Sequence, residues 1–270
     1  FINVAASLYL NIYLIMILNM GFNGALLSLV GVSLIQLLIL SPLMLFNIKF
    51  QQFDCSLLKK MVNFSIPFLP ASIFFIMIEM ADRLMLGWLS SVENVGLYGA
   101  GYKIGALMLM IVRGFNINWQ PYYLKCGENI DNNTVVSFAY IGNVMLLVLI
   151  LIAGVLSSIW PMLLSIKIYS FSIIGDGFLS GGRVIPYILV SYVFYGFFIF
   201  QMPSIYIKNK QNWAPLLWGL GAIINIAGNI ILLPKLGYIG AAISTLLAYC
   251  TMSIILLYKN YSWLWIPYNF

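Results

Sequence analysis

The sequence predicts an all-α, polytopic membrane protein with eight transmembrane helices, and three observations carry that prediction. Of the 270 residues, 63% are hydrophobic and 7% are charged, with a mean hydropathy of +1.00. A soluble domain is about 45–50% apolar and about 25% charged, and a surface this poor in charge could not be kept in water. Apolar runs of about 20 residues, the length of helix that crosses roughly 30 Å of hydrocarbon, recur along the whole chain. Stretches of alternating polarity, which a transmembrane barrel needs, do not recur, and an isolated strand cannot satisfy its backbone in lipid.

The runs are bounded by charge or by Asn, Gly and Pro clusters, which place helices at about 2–19, 24–47, 64–88, 95–117, 135–156, 184–206, 213–233 and 238–258. Pro67 and Pro70 fall in the first turns of the third helix, where proline either starts a helix or bends it. The last helix stops before Lys259. Lys49, Lys59, Lys60, Lys125, Lys208, Lys210 and Lys259 all fall on one side of the membrane, against Lys167, Arg183 and Lys235 on the other. The lysine-rich side is therefore expected to be cytoplasmic, which puts the 48–63 loop, the C-terminal tail and, with eight spans, Phe1 inside. A net charge of +6 then needs no nucleic-acid partner.

Cys55, Cys126 and Cys250 are scattered, with neither disulfide nor zinc spacing. The stretch Gly175-Asp176-Gly177-Phe178-Leu179-Ser180-Gly181-Gly182 fails as a phosphate loop. No Lys-Ser or Lys-Thr follows it and no strand precedes it, so it is expected to be a flexible external connection.

An internal repeat organises the chain further. Gly21-Phe22-Asn23-Gly24-Ala25-Leu26-Leu27-Ser28 is echoed 216 residues later by Gly237-Tyr238-Ile239-Gly240-Ala241-Ala242-Ile243-Ser244, each copy opening a long apolar run. Both copies fall on the outer side, and the second helix is the sixth after the first. A parallel repeat of six helices follows, unless the pattern is only a small-residue helix entrance that suits membranes. The chain opens at Phe1, without Met and already within an apolar run. The repeat predicts that four helices precede it, starting roughly 150 residues upstream.

Several segments in order carry a family resemblance. They are Phe64-Ser65-Ile66-Pro67-Phe68-Leu69-Pro70-Ala71-Ser72, Ala81-Asp82-Arg83-Leu84-Met85-Leu86-Gly87, Val95-Gly96-Leu97-Tyr98 and Tyr102-Lys103. Further along come Trp119-Gln120-Pro121, the helix with Asn225 and Asn229, Leu233-Pro234-Lys235-Leu236-Gly237 with Gly240-Ala241-Ala242, and Ile266-Pro267-Tyr268. Over about residues 10–270 the chain resembles the C-terminal part of the bacterial Wzx-type flippases of O-antigen and capsule repeat units. These belong to the multidrug, oligosaccharidyl-lipid and polysaccharide exporter superfamily.

The resemblance implies a twelve-helix fold of two six-helix bundles. Residues 1–47 would close the first bundle, 48–61 would link the two, 62–258 would form the second, and 259–270 would be a cytoplasmic tail. It also implies a multi-pass protein of the bacterial cytoplasmic membrane that moves undecaprenyl-diphosphate-linked oligosaccharide from the inner to the outer leaflet by alternating access. The implied partners are that lipid-linked sugar, the bilayer and the polysaccharide polymerase machinery. No bond changes in such transport, so no catalytic group, cofactor or metal is called for.

The head group is the physical difficulty, because a charge in hydrocarbon costs several kcal/mol or more. Intramembrane ionisable residues are therefore the candidates. Glu79 and Arg83 are four apart on one helical face, Asp82 is three from Glu79, and Lys103 lies at a depth from which it could reach Asp82. Two readings stand. Two acids and two bases neutralise one another and lock the hairpin, or Arg83 or Lys103 exchanges its carboxylate partner for the diphosphate while Glu79 or Asp82, once displaced, takes up a proton or sodium ion. Arg113 either snorkels to the interface or docks the anionic head group. Asn116, Asn118, Trp119 and Gln120 follow it, and could bond and stack sugar, although an aromatic belt also explains Trp119. Asn225 and Asn229 either bond neighbouring helices or line a sugar path.

Two other functions compete. A membrane polymerase or transferase acting on the same lipid-linked sugar would need acid–base groups. The chain has no His, and the expected outer loop, 157–183, carries only Lys167, Asp176 and Arg183. A drug or cation exporter of the same superfamily would use a deep acidic residue in the preceding bundle.

Overall fold

The computed structural model describes residues 2–47, 54–127, 130–165, 167–168, 171–172 and 176–268. Apart from one two-residue ribbon these residues are helices and turns, and the protein is an all-α, multi-pass membrane protein. Seven helices among the described residues are long and apolar enough to cross a membrane.

The chain divides into two compact units, residues 1–59 and 60–270. The first unit opens with α1 (Ile2–Asn11), which widens into a π-helical turn over Ile12–Ile17. The apolar helix Asn3–Ile17 reaches about 22 Å at 1.5 Å per residue, short of a hydrocarbon core. The expected first span is therefore a shorter helix, ended where Asn19 and Gly21 take φ of 50° and 52°. Helix α2 (Gly21–Asn47) follows and packs on α1 through small residues. A Cβ on Gly24 would meet the Leu14 carbonyl, one on Gly31 would meet Leu10, and Ser28 Oγ donates to Asn11 Oδ1 at 2.9 Å.

Residues 48–53, with Lys49, lie outside the described residues. Asp54 caps the next helix, α3 (Cys55–Ser65), through the Ser56 amide, so Lys59 and Lys60, expected in a loop, lie on a helix. On α3, Leu57, Leu58, Met61 and Val62 share one face, with Ser56, Lys59, Lys60 and Asn63 on the other. The backbone then breaks at Ile66 and Pro67, and α4 (Phe68–Leu89) begins with Pro70 in its first turn, where its missing N–H is harmless.

The second unit continues with α5 (Val92–Cys126), capped by Ser91, and α6 (Asn132–Ser165), capped by Asp131. Both run beyond the lengths read from hydropathy. Strands β1 (Lys167–Ile168) and β2 (Phe171–Ser172) form an antiparallel ribbon. A 3₁₀ helix, Asp176–Val184, comes next. Gly175 lies outside the described residues, but the glycines after it do not form the expected flexible connection. Gly181 and Gly182 are buried, and Gly181 sits against Gly101 and the Leu97 carbonyl of α5. A side chain there would hold the two segments apart, and small residues give this closeness.

Helix α7 (Ile185–Phe200) is the most buried element, touching α5, α6 and α10. It breaks at Gln201 before α8 (Pro203–Ile207), because Pro203 cannot continue the backbone ladder. The buried break is repaired by side chains, as lipid requires. Ser204 and Asn260 bond the Gln201 carbonyl and each other, and Gln201 Nε2 reaches the Phe197 and Ser253 carbonyls. Helices α9 (Trp213–Leu236) and α10 (Tyr238–Trp263) complete the unit, with α9 packed on both α4 and α10. Helix α10 does not stop before Lys259 as expected but continues through it, because a charge at the helix end does not break the backbone ladder.

The two repeat copies build the same helix entrance. Gly21 and Gly237 both take positive φ, 52° and 57°, which L side chains rarely adopt. Gly24 and Gly240 both lie against a carbonyl of the preceding helical segment, at Leu14 and Leu232, and Ser28 and Ser244 are both buried.

Candidate functional site

Close approach of α9 to its neighbours brings the polar groups of the second unit together. At Gly221 a Cβ would collide with Met252 of α10 and come within 3.1 Å of Ile78 of α4, and at Gly228 it would lie 2.7 Å from Ser244 Oγ. Asn225 and Asn229 lie on the same helix, a turn apart, and so project into the α4–α10 junction.

There they meet Asp82, which is 1% exposed. Asp82 Oδ1 accepts from Asn225 Nδ2 at 3.0 Å and Asn229 Nδ2 at 2.8 Å. Its Oδ2 accepts from Tyr98 Oη at 2.5 Å and Thr245 Oγ1 at 2.6 Å. Four donors from α5, α9 and α10 thus fill the roughly four acceptor positions of a carboxylate, and all four donors are neutral. The network closes on itself, since Asn225 Nδ2 also donates to Thr245 Oγ1 and Asn229 Nδ2 to Asn225 Oδ1. One atom is left over. Asn229 Oδ1, on the same amide that bonds Asp82, is buried without a hydrogen-bond partner.

Glu79, one turn earlier on α4 and half-buried, sits among tyrosines. Tyr249 donates to its Oε1 at 2.6 Å, Tyr102 donates to its Oε2 at 2.7 Å, and Tyr192 lies 3.2 Å from Oε2. The Tyr102 and Tyr192 hydroxyls also bond each other. Buried tyrosines need a partner for the hydroxyl, and the carboxylate supplies one.

Of the two readings of Glu79, Asp82, Arg83 and Lys103, mutual neutralisation is not the arrangement found. Arg83 donates to the Glu79 backbone carbonyl at 3.3 Å and lies 4.3 Å from the Tyr102 ring centre, a cation–π position. Lys103 is exposed, and the four groups on Asp82 do not include it. On α5 it is Tyr98 and Tyr102, four apart, that face α4, and Lys103 is rotated about 100° from Tyr102. Asn225 and Asn229 do bond neighbouring helices, with a carboxylate as the shared acceptor.

Arg113 and Asn116 lie several turns along α5 from this cluster. Arg113 is exposed, with its guanidinium 5.0 Å from the Phe75 ring centre, and Asn116 is half-buried. Trp119 is packed inside the second unit. It is 2% exposed within Phe115, Tyr122, Tyr123 and Phe138, and its indole nitrogen has no hydrogen-bond partner.

The chain matches no protein-family model, no curated protein and no solved structure. The site must be read from its own chemistry. An ionisable side chain inside a membrane protein is a functional candidate by default, and here two stand one helical turn apart. Sequence reasoning singled out Glu79, Asp82, Asn225 and Asn229 but missed Tyr98, Tyr102, Tyr192, Thr245 and Tyr249. The i, i+4 spacing of Tyr98 and Tyr102 on an apolar helix was a usable signal. Tyr192 and Tyr249, 113 and 170 residues from Glu79, left none.

Proposed function

We propose that the protein is an ion-coupled transporter of the bacterial cytoplasmic membrane, with its C-terminus in the cytoplasm. Its cargo is undecaprenyl-diphosphate-linked oligosaccharide, carried from the inner to the outer leaflet by alternating access. The observation that carries the reading is Asp82. It is buried in a membrane-spanning bundle and has only neutral donors, drawn from three other helices, around it. Stability alone does not call for such a group, since a well-packed apolar residue costs less. A carboxylate whose partners come from several helices does suit coupling. Taking up a proton or a sodium ion changes which hydrogen bonds Asp82 can accept, and so changes how α4, α5, α9 and α10 prefer to pack. Asn229 Oδ1 adds an acceptor without a partner beside it, which a bound cation would satisfy. The substrate class rests on the family resemblance and on the arginines and amides carried by the same helices.

The test is to delete the intact gene in its host and locate the lipid-diphosphate-linked sugar by leaflet. Single units trapped on the cytoplasmic face are the expected result. Single units that reach the outer face but fail to polymerise would replace the transport reading with that of an enzyme.

A further inference from the structure

The second unit also contains a pocket of about 230 Å³, formed where the start of α4, the later turns of α5, the end of α7, α8 and the start of α9 converge. Its walls are aromatic. Phe75, Tyr195 and Trp218 form one wall, with Phe75 and Trp218 edge-to-face at 5.2 Å, and Phe68 stacks on Tyr206 at 5.1 Å. Its polar lining includes Asn116 and Gln120, four apart on α5, and among the described residues neither amide makes a hydrogen bond. Arg113 lies on the same face of α5, three residues before Asn116, with its guanidinium held over Phe75 at the pocket wall.

This combination is specific. A pyranose ring offers apolar C–H faces, which pack on aromatic rings, and a rim of hydroxyls, which bond amides. An amide left idle beside an aromatic wall fits that edge, and an apolar ligand would waste it. The volume falls below the roughly 300–1,000 Å³ of sites for drug-sized ligands, so it takes one ring and not an oligosaccharide. Arg113 does not itself line the pocket, but from its place over Phe75 it offers a fork that matches phosphate oxygens beside it. We infer that this pocket binds the head of a glycosyl diphosphate, with the first sugar ring between the aromatic walls against Asn116 and Gln120 and the diphosphate on Arg113. On the proposed topology it lies in the cytoplasmic half, where a substrate would enter. The inference rests on the transport reading and names the docking site within it.

The experiment is calorimetric titration of the purified full chain with two kinds of soluble short-chain probe. One is citronellyl diphosphate, and the other is a panel of citronellyl-diphosphate-linked hexoses and N-acetylhexosamines. At least one glycosylated probe should bind about tenfold more tightly than the bare diphosphate, an effect of the size two hydrogen bonds give. The paired substitution Asn116→Ala and Gln120→Ala should erase that difference and leave bare-diphosphate binding and the melting temperature unchanged. Arg113→Gln should weaken both probe classes. Equal binding of all probes, no binding of any, or a sugar preference untouched by the paired substitution would overturn the inference. Binding is read without movement across a membrane, so the two failures separate. A pocket without ring preference in a protein whose deletion traps substrate inside removes this site alone. A sugar-binding pocket in a protein whose deletion traps nothing removes the transport reading alone.

Discussion

Asp82→Asn should separate the charge at the centre of the second unit from its shape. The four hydrogen bonds fall into two kinds. Asn225 and Asn229 present amide N–H groups to Oδ1 and cannot reverse, whereas Tyr98 and Thr245 present hydroxyls to Oδ2 that can rotate and accept. An asparagine with its oxygen toward Asn225 and Asn229 keeps both amide bonds and gives its own Nδ2 two hydroxyl acceptors, while the hydroxyl hydrogens of Tyr98 and Thr245 lose Oδ2 as their acceptor. It exchanges bonds to a charged group for ordinary ones, at about 1–3 kcal/mol in total. Asp82→Ala instead takes the acceptor from one N–H of each amide, leaving them only the bonds to Thr245 Oγ1 and Asn225 Oδ1, at about 1–3 kcal/mol each. Melting in detergent, followed by tryptophan fluorescence, should rank wild type above Asp82→Asn, and Asp82→Asn well above Asp82→Ala. In the intact gene, Asp82→Asn should restore less than about a tenth of surface polysaccharide at normal protein level, because an amide carries no charge to balance a cation and does not titrate. Full restoration would refute coupling through Asp82. Equal destabilisation by both substitutions would refute the account in which the hydroxyls reverse.

The remaining predictions concern packing and caps. Gly101→Ala and Gly181→Ala each drive a Cβ into a backbone carbonyl of the facing segment and should lower the melting temperature, at about 1–3 kcal/mol or more. Gly114→Ala meets nothing within 4 Å and should be neutral, or stabilising by up to about 1 kcal/mol. Asn260→Ala removes the bonds to Gln201 and Ser204 that repair the α7–α8 break, and should cost about 1–3 kcal/mol in the same assay. The Thr134 hydroxyl and amide hold the Asp131 carboxyl below its usual value. That stabilising contribution is present above the unfolded carboxylate value, near about 3.9, and is lost as pH falls through the lower folded one. Hydrogen exchange in the first turn of α6 should accelerate in acid relative to Asp131→Asn, which keeps an acceptor but does not titrate in this range. Asp131→Ala should fray that turn already at pH 7.

The sequence alone determined the fold class, because composition and the length of apolar runs are set by the solvent the chain must face, and a bilayer leaves helices as the choice when no strand alternation is present. The positions of α4, α7, α9 and α10 followed from that, as did the intramembrane carboxylates, since a charge within an apolar run is visible without coordinates. The two glycine-led helix entrances were also legible, because positive φ and close carbonyl approach restrict those positions to Gly. Helix ends were less so. Hydropathy fades at an interface while the backbone ladder continues, so α5 and α6 outran their apolar cores, and the first apolar run stopped short of a span.

Only the tertiary structure decided what the carboxylates touch. Charge counting suggested that Glu79 and Asp82 would find Arg83 and Lys103, their nearest opposite charges along the chain. Helical rotation turned Lys103 away, and the small residues Gly221 and Gly228 let α9 approach closely enough for Asn225 and Asn229 to reach Asp82 first. The tyrosines on Glu79 come from three helices whose order in space no local pattern records. The pocket beside Arg113 has the same origin. Its aromatic walls and idle amides lie up to 150 residues apart in the chain, and only the convergence of five helices makes them one surface.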